Sequence, residues 1–88
     1  MKTFEDLEFT HINEGIMTGK RARMKFDNKY GISVVCTRYS YGGEDGLYEI
    51  AVLDSEGDIT YTTPVTSDVI GYLSPEDVTD IMKQIQLL

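Results

Sequence analysis

Residues Arg21 to Arg38 read RARMKFDNKYGISVVCTR, and this stretch decides the fold. Its first six residues alternate between basic and apolar side chains, which is typical of a strand with one buried face. The next three, Asp27, Asn28 and Lys29, supply turn chemistry, and Tyr30 to Arg38 is rich in β-branched residues. The stretch therefore predicts a β-hairpin. We expect its basic residues on the solvated face of an edge strand: Arg21, Arg23 and Lys25.

Further strands are predicted on both sides of this hairpin. Residues 7–12 (LEFTHI) alternate well enough for a first strand, and residues 47–53 (LYEIAVL) form an apolar strand after the glycine-rich loop 40–46. Residues 59–63 (ITYTT) predict another strand, which Pro64 ends or marks as an edge. Residues 69–73 predict only a short helical turn.

The C-terminal segment carries the strongest helix signal. Ser74 is a suitable N-cap, Pro75 suits the first helical position, and acidic residues follow in the first turn. An apolar stripe then recurs at helical spacing: Val78, Ile81, Met82 and Ile85. The sequence predicts one α+β domain over residues 1–88, an antiparallel meander of four to five strands with a C-terminal α-helix packed on one face.

Composition excludes several classes of ligand. The chain has 88 residues and a formal net charge of −7, which argues against nucleic acid or anionic lipid as the main ligand. It has no apolar run long enough for a signal sequence or a membrane span. The single cysteine, Cys36, agrees with a reducing compartment, so we expect a cytosolic protein outside the membrane.

The charges are segregated along the chain. Between Tyr39 and Met82 there are ten carboxylates and no Lys or Arg, whereas six of the eight basic residues lie between Lys20 and Arg38. In a small domain such segregation favours an acidic surface that attracts a basic protein surface. The candidate binding carboxylates are Glu44, Asp45, Glu49, Asp54, Glu56 and Asp58.

Tyrosine is the other residue type that favours recognition. Six tyrosines exceed what one small core needs, and tyrosine offers an apolar ring and a hydroxyl at low entropic cost. Tyr39 and Tyr41 flank the flexible loop beside Glu44 and Asp45, so we expect them to bind together with these carboxylates. The alternative is that the tyrosines are cross-strand packing partners.

Catalytic and metal-binding motifs are sparse. His11 is the only histidine, Cys36 lies in an apolar strand, and only the fold could bring the two together. Asp54, Glu56 and Asp58 resemble the first half of a calcium loop, but Val65 stands where its bidentate Glu should be. An acidic hairpin turn explains the motif better. We therefore expect no enzyme, no metal site and no cofactor.

Three pieces of the chain resemble a family of short uncharacterised proteins encoded in bacteriophage genomes: Met24 to Val35, Ser40 to Leu53, and Thr63 to Leu73. The chain departs from that family in a longer insertion, Glu14 to Lys20. The resemblance carries no catalytic motif. It implies a phage accessory protein that acts in the host cytoplasm.

Three functions follow as hypotheses. The first is a binding protein that inhibits a host defence factor, such as a nuclease complex in the manner of an anti-CRISPR protein, by presenting acidic residues where the target expects nucleic acid. The second is an oligomer, such as a homodimer, that sequesters a small ligand between protomers through Arg38, Tyr39 and Tyr41. The third is a minor structural protein of the virion.

Overall fold

A computed structural model describes residues 1–14 and 17–88. Five strands form one sheet in the order β1-β2-β3-β4-β5, and every neighbouring pair is antiparallel. The predicted α+β meander with a C-terminal helix is confirmed. The elements are a 3-10 turn at Phe4–Asp6, β1 at Thr10–Glu14, β2 at Met17–Lys25, β3 at Gly31–Thr37, a 3-10 turn at Gly43–Asp45, β4 at Tyr48–Leu53, β5 at Ile70–Leu73 and α1 at Pro75–Gln86.

The helix α1 begins where the sequence predicts. The Ser74 hydroxyl accepts a hydrogen bond from the Asp77 N–H at 3.1 Å, and the Asp77 carboxylate accepts one from the Ser74 N–H at 3.1 Å. This reciprocal pair is a capping box, which satisfies two main-chain donors at the helix start. The predicted apolar stripe is buried.

The core lies between α1 and one face of the sheet. On that face Ile32 stands opposite Val52, and Val34 stands opposite Ile50. All four side chains are at most 1% exposed, so the helix stripe packs directly on the central strands. Phe4 closes one end of the core, where its ring lies 5.0 Å from that of Tyr48 in an edge-on arrangement.

The opposite face of the sheet carries the basic row of β2. Because β2 lies between β1 and β3, the expectation that this row belongs to an edge strand is wrong. The side chains are nevertheless exposed, as expected for the polar side of an alternating strand. Two of them reach the turn after β4: Arg23 donates to the Gly57 carbonyl at 3.4 Å and Lys25 to the Ser55 carbonyl at 3.3 Å.

The fifth strand is not the one that the sequence predicts. Residues 59–63 contribute only an isolated bridge between Ile59 and Leu53, with the Thr60 N–H donating to the Val52 carbonyl at 2.9 Å. The segment predicted as a helical turn forms β5 instead. Both segments lie along the same edge of β4. Ile59 pairs with Leu53 at the end of that strand, and β5 pairs with Tyr48 and Ile50 nearer its start.

The N-terminal region also differs from the prediction. A 3-10 turn occupies Phe4–Asp6, and β1 begins only at Thr10, since Phe4 and Leu7 pack on the core instead of entering the sheet. In the insertion 14–20, Gly15 and Ile16 lie outside the described residues. The remainder of the insertion belongs to β1 and β2.

Candidate functional site

The predicted binding residues fall into two groups at opposite ends of β4. Tyr39, Tyr41, Glu44 and Asp45 lie in the loop that enters this strand, with Glu49 near the strand's start. The other three carboxylates, Asp54, Glu56 and Asp58, lie in the turn that leaves it. A six-residue strand is about 20 Å long, so the acidic residues form two separate groups.

The group after β4 is largely structural. The Asp54 carboxylate accepts the N–H of Glu56 at 2.9 Å and that of Asp58 at 3.0 Å, and Gly57 adopts a left-handed φ of +83°. This is a hairpin turn organised by an aspartate. Glu56 and Asp58 are exposed there, and Arg23 and Lys25 reach the same turn, so their positive charges offset the local negative field.

The group before β4 is held by hydrogen bonds within its own loop. The Ser40 hydroxyl accepts the Thr37 N–H at 2.8 Å, and the Ser40 N–H donates to the Thr37 hydroxyl at 3.1 Å. Thr37 is buried, which ties the loop to the end of β3. The loop then presents Glu44 and Asp45 to solvent on the 3-10 turn Gly43–Asp45.

Tyr72 joins this loop from the distant strand β5. Its N–H donates to the Tyr41 carbonyl at 3.1 Å. Beside it, a Cβ on Gly71 would lie only 2.2 Å from the Tyr41 Cβ, so only glycine allows the two segments to approach so closely. Tyr41 and Tyr72 are 59% and 63% exposed. Both tyrosines are therefore exposed where the two segments meet.

Four side chains from these two segments line one shallow pocket of about 180 Å³. We name them the tyrosine–carboxylate patch: Tyr41, Glu44, Asp45 and Tyr72. Arg38 and Ser40 line the same pocket. The Arg38 guanidinium is 6.0 Å from the centre of the Tyr39 ring, which is 58% exposed. The structure thus brings four of the predicted residues, Tyr39, Tyr41, Glu44 and Asp45, into one neighbourhood and adds Tyr72.

The backbone of Tyr72 is unusual for so large a residue. Leu73 pairs with Tyr48 and Ile70 with Ile50, so Gly71 and Tyr72 together stand opposite the single residue Glu49. This bulge gives Tyr72 a φ of +58°, a region that bulky side chains rarely adopt. Strained backbone of this kind gathers at functional sites.

Glu49 has a supporting role beside the patch. Its carboxylate oxygen Oε1 accepts the N–H of Tyr41 at 3.0 Å, and the side chain is half-buried on β4. This bond holds the loop against the sheet. Glu49 therefore positions Tyr41.

The fold places His11 and Cys36 on the same row of the sheet, with Lys20 between them. Two strand spacings separate the histidine from the cysteine, about 10 Å between their backbones, so they form no nucleophile–base pair. Within residues 1–14 and 17–88, no cluster of three or more His, Cys, Asp or Glu side chains could hold a metal ion. Over the same residues, no helix has the length and apolar character to cross a membrane.

Lys20 is the ionisable group that its surroundings perturb most clearly. A hydrogen bond with Tyr48 raises the pKa of Lys20 above its usual value, although partial burial opposes that shift. The ammonium also lies 5.0 Å from the Phe9 ring centre and 5.3 Å from that of Tyr48. These aromatic contacts fix a positive charge at the edge of the core.

Comparison of the chain with known families, curated proteins and solved structures gave no match to a family model, a protein or a structure.

Proposed function

We propose that this chain is a non-enzymatic binding protein whose tyrosine–carboxylate patch binds a basic segment of another protein. One observation carries the proposal. Tyr72 and Tyr41 lie 31 positions apart in the sequence, yet a main-chain hydrogen bond joins them, and both exposed residues line one pocket with Glu44 and Asp45.

The chemistry of the patch favours arginine in the partner. A guanidinium can stack on a tyrosine ring and donate paired hydrogen bonds to a carboxylate. The patch offers both kinds of group on exposed side chains, Tyr41 and Tyr72 for stacking and Glu44 and Asp45 for pairing. Tyrosine also contributes strongly to binding where it becomes desolvated in an interface.

The net charge supports a basic protein partner over a nucleic acid. A net charge of −7 repels the polyanionic backbone of a nucleic acid over long range and steers a positively charged partner toward the chain. Because the carboxylates flanking β4 are divided between its two ends, the proposal assigns recognition to the patch and not to the whole acidic segment.

Our narrower proposal is that the partner is a host defence factor, such as a nuclease complex, and that the chain is a phage accessory protein acting in the host cytoplasm. Two features support it: the resemblance of residues 24–35, 40–53 and 63–73 to phage-encoded proteins, and acidic side chains that could occupy a surface built for nucleic acid. The chain would then inhibit by occupying that surface.

Charge reversal at the two acidic groups tests the patch. Immobilised wild-type chain would be compared with Glu44→Lys/Asp45→Lys and with the control Glu56→Lys/Asp58→Lys, which makes the same change in net charge at the other end of β4. Proteins captured from bacterial lysate would be identified by mass spectrometry, and their binding remeasured with purified partner. We expect the first variant to lose the partner and the control to retain it.

Two outcomes would contradict the proposal. One is equal loss of the partner in both variants, which would indicate general charge attraction. The other is a complex that persists unchanged from low salt to about 0.5 M salt, because screening weakens interfaces built on exposed charges. Inhibition is tested separately, by adding the purified chain to the captured nuclease and measuring its cleavage rate.

A further inference from the structure

A second candidate site lies on the helix side of the sheet, beyond the part that α1 covers. The helix contacts β3, β4 and β5. Where β1, β2 and the end of β3 lie side by side, an open groove of about 980 Å³ remains. This volume is in the range of sites that hold small molecules.

Several hydrogen-bond donors line the groove, although most of its surface is apolar. The cross-strand row His11, Lys20 and Cys36 lies on the same face as the buried Ala22 and Val34, because side chains alternate along a strand. Asn13, Thr18 and Arg38 also line the groove. Two permanent cations, an imidazole, an amide and a hydroxyl thus surround one space, which suits a ligand rich in acceptor oxygens.

Lys20 is the cation of this groove whose position two aromatic rings restrict. Its ammonium is held over the Phe9 and Tyr48 rings, so its position is set before any ligand arrives. An ordered cation costs less entropy on binding than a free one. The carboxylate residue Glu44 also lines the groove, and it comes from the 3-10 turn Gly43–Asp45.

We propose that this groove binds a small anion that carries a phosphate group, with Lys20 and Arg38 as the contacts to the phosphate oxygens. This ligand differs from the one proposed for the tyrosine–carboxylate patch, which is a cationic protein segment, although Arg38 and Glu44 line both spaces. The groove would give the chain a ligand site within a single protomer.

The test is an amide NMR titration of the full chain with inorganic phosphate and with adenosine 5′-monophosphate, at constant ionic strength. The variants are Lys20→Gln and Arg38→Gln. Arg21→Gln is the matched control, because it removes the same charge from the neighbouring residue on the opposite face of the sheet. An amide spectrum that matches the wild type away from the substitution verifies folding of each variant.

We expect saturable shifts at His11, Lys20 and Arg38 with at least one of the two probes. Lys20→Gln and Arg38→Gln should each weaken binding by about tenfold, whereas Arg21→Gln should leave it nearly unchanged. Tighter binding of the nucleotide than of inorganic phosphate would show that the groove also contacts the organic part of the ligand.

Three results would overturn the proposal: shifts that do not saturate with either probe, shifts centred on Arg21, Arg23 and Lys25, or equal weakening by Arg21→Gln. If Lys20→Gln fails to fold, Arg38→Gln alone decides the outcome, since Arg38 lies outside the core and is exposed.

Discussion

The main-chain N–H of Tyr72 donates to the carbonyl oxygen of Tyr41 at 3.1 Å, which joins the bulge of β5 to the loop after β3. That single contact brings together two exposed tyrosines from segments that are distant in the sequence. Tyr72 has a left-handed backbone at this point. The stability of this junction and the recognition surface are therefore coupled.

Substitutions at Tyr72 test how the backbone conformation and the side chain each contribute to the stability of this junction. Tyr72→Gly removes the steric cost of a side chain at φ +58°, which is about 1 kcal/mol. Glycine also raises the conformational entropy of the unfolded chain, which lowers stability by a similar free energy. We expect an unfolding free energy within about 0.5 kcal/mol of wild type, and a loss of about 1–2 kcal/mol for the β-branched Tyr72→Val. Urea denaturation measures both values. Equal losses in the two variants would show that packing by the ring, and not backbone conformation, dominates.

Gly71→Ala should disrupt the same junction from the other side. The added Cβ would lie 2.2 Å from the Tyr41 Cβ and 3.0 Å from the Tyr41 oxygen, so the loop must move. We expect a loss of about 1–3 kcal/mol in unfolding free energy. Gly46→Ala is the comparison, since a Cβ there meets no atom within 4 Å and adds only a left-handed penalty of about 1 kcal/mol. A Gly71→Ala chain as stable as wild type would refute the close approach.

Asn28 ties the β2–β3 turn to the end of the helix. Its side-chain amide donates to the Ile85 carbonyl at 2.8 Å, and its side-chain oxygen accepts the Tyr30 N–H at 3.2 Å. Asn28→Asp keeps the acceptor but replaces the donor with a negative charge near helical carbonyls, which the helix dipole disfavours. We expect a loss of about 1–3 kcal/mol at neutral pH, measured by thermal or urea denaturation. Retained stability would mean that the Ile85 contact contributes nothing.

Alkaline pH should weaken the fold through Lys20. Because the folded chain holds this proton more tightly than the unfolded chain, with an ordinary pKa of 10.5, the stabilisation is complete below that pH. It is lost as the pH rises through the higher folded value. Tyr48→Phe removes the hydrogen bond that is the main cause of the shift. We expect its unfolding free energy to fall less than that of wild type between about pH 9 and pH 12. A parallel fall in both proteins would exclude the contribution of Lys20.

The local signals in the sequence predicted the central hairpin and the C-terminal helix. Alternation at Arg21 to Lys25 gave β2 the correct buried face, and Ser74 with Pro75 gave the correct start of α1. These signals succeed because a strand and a helix impose their periods on adjacent residues. The prediction that β2 is an edge strand was wrong because it depends on a distant element. β1 pairs with β2 on the side away from β3, and no residue within β2 indicates that pairing.

The patch could be predicted only in part. Tyr39, Tyr41, Glu44 and Asp45 were found because they share one loop. Tyr72 could not be predicted, because residues 69–73 on their own predict a helical turn and no local feature indicates that β4 has a free edge. The division of the carboxylates did have a signal in the sequence: a loop that precedes a strand and a turn that follows it lie at opposite ends of that strand.

Residue identity and short-range spacing are enough to predict the alternating strands, the capped helix, the apolar stripe and the acidic net charge. The tertiary structure alone decided that Tyr72 lies beside Tyr41, that Arg23 and Lys25 meet the turn after β4, and that Lys20 and Arg38 share a groove with His11. These relationships arise from strand pairing between distant segments. Which strands pair depends on the sheet edges and faces that are still free once the other elements have packed.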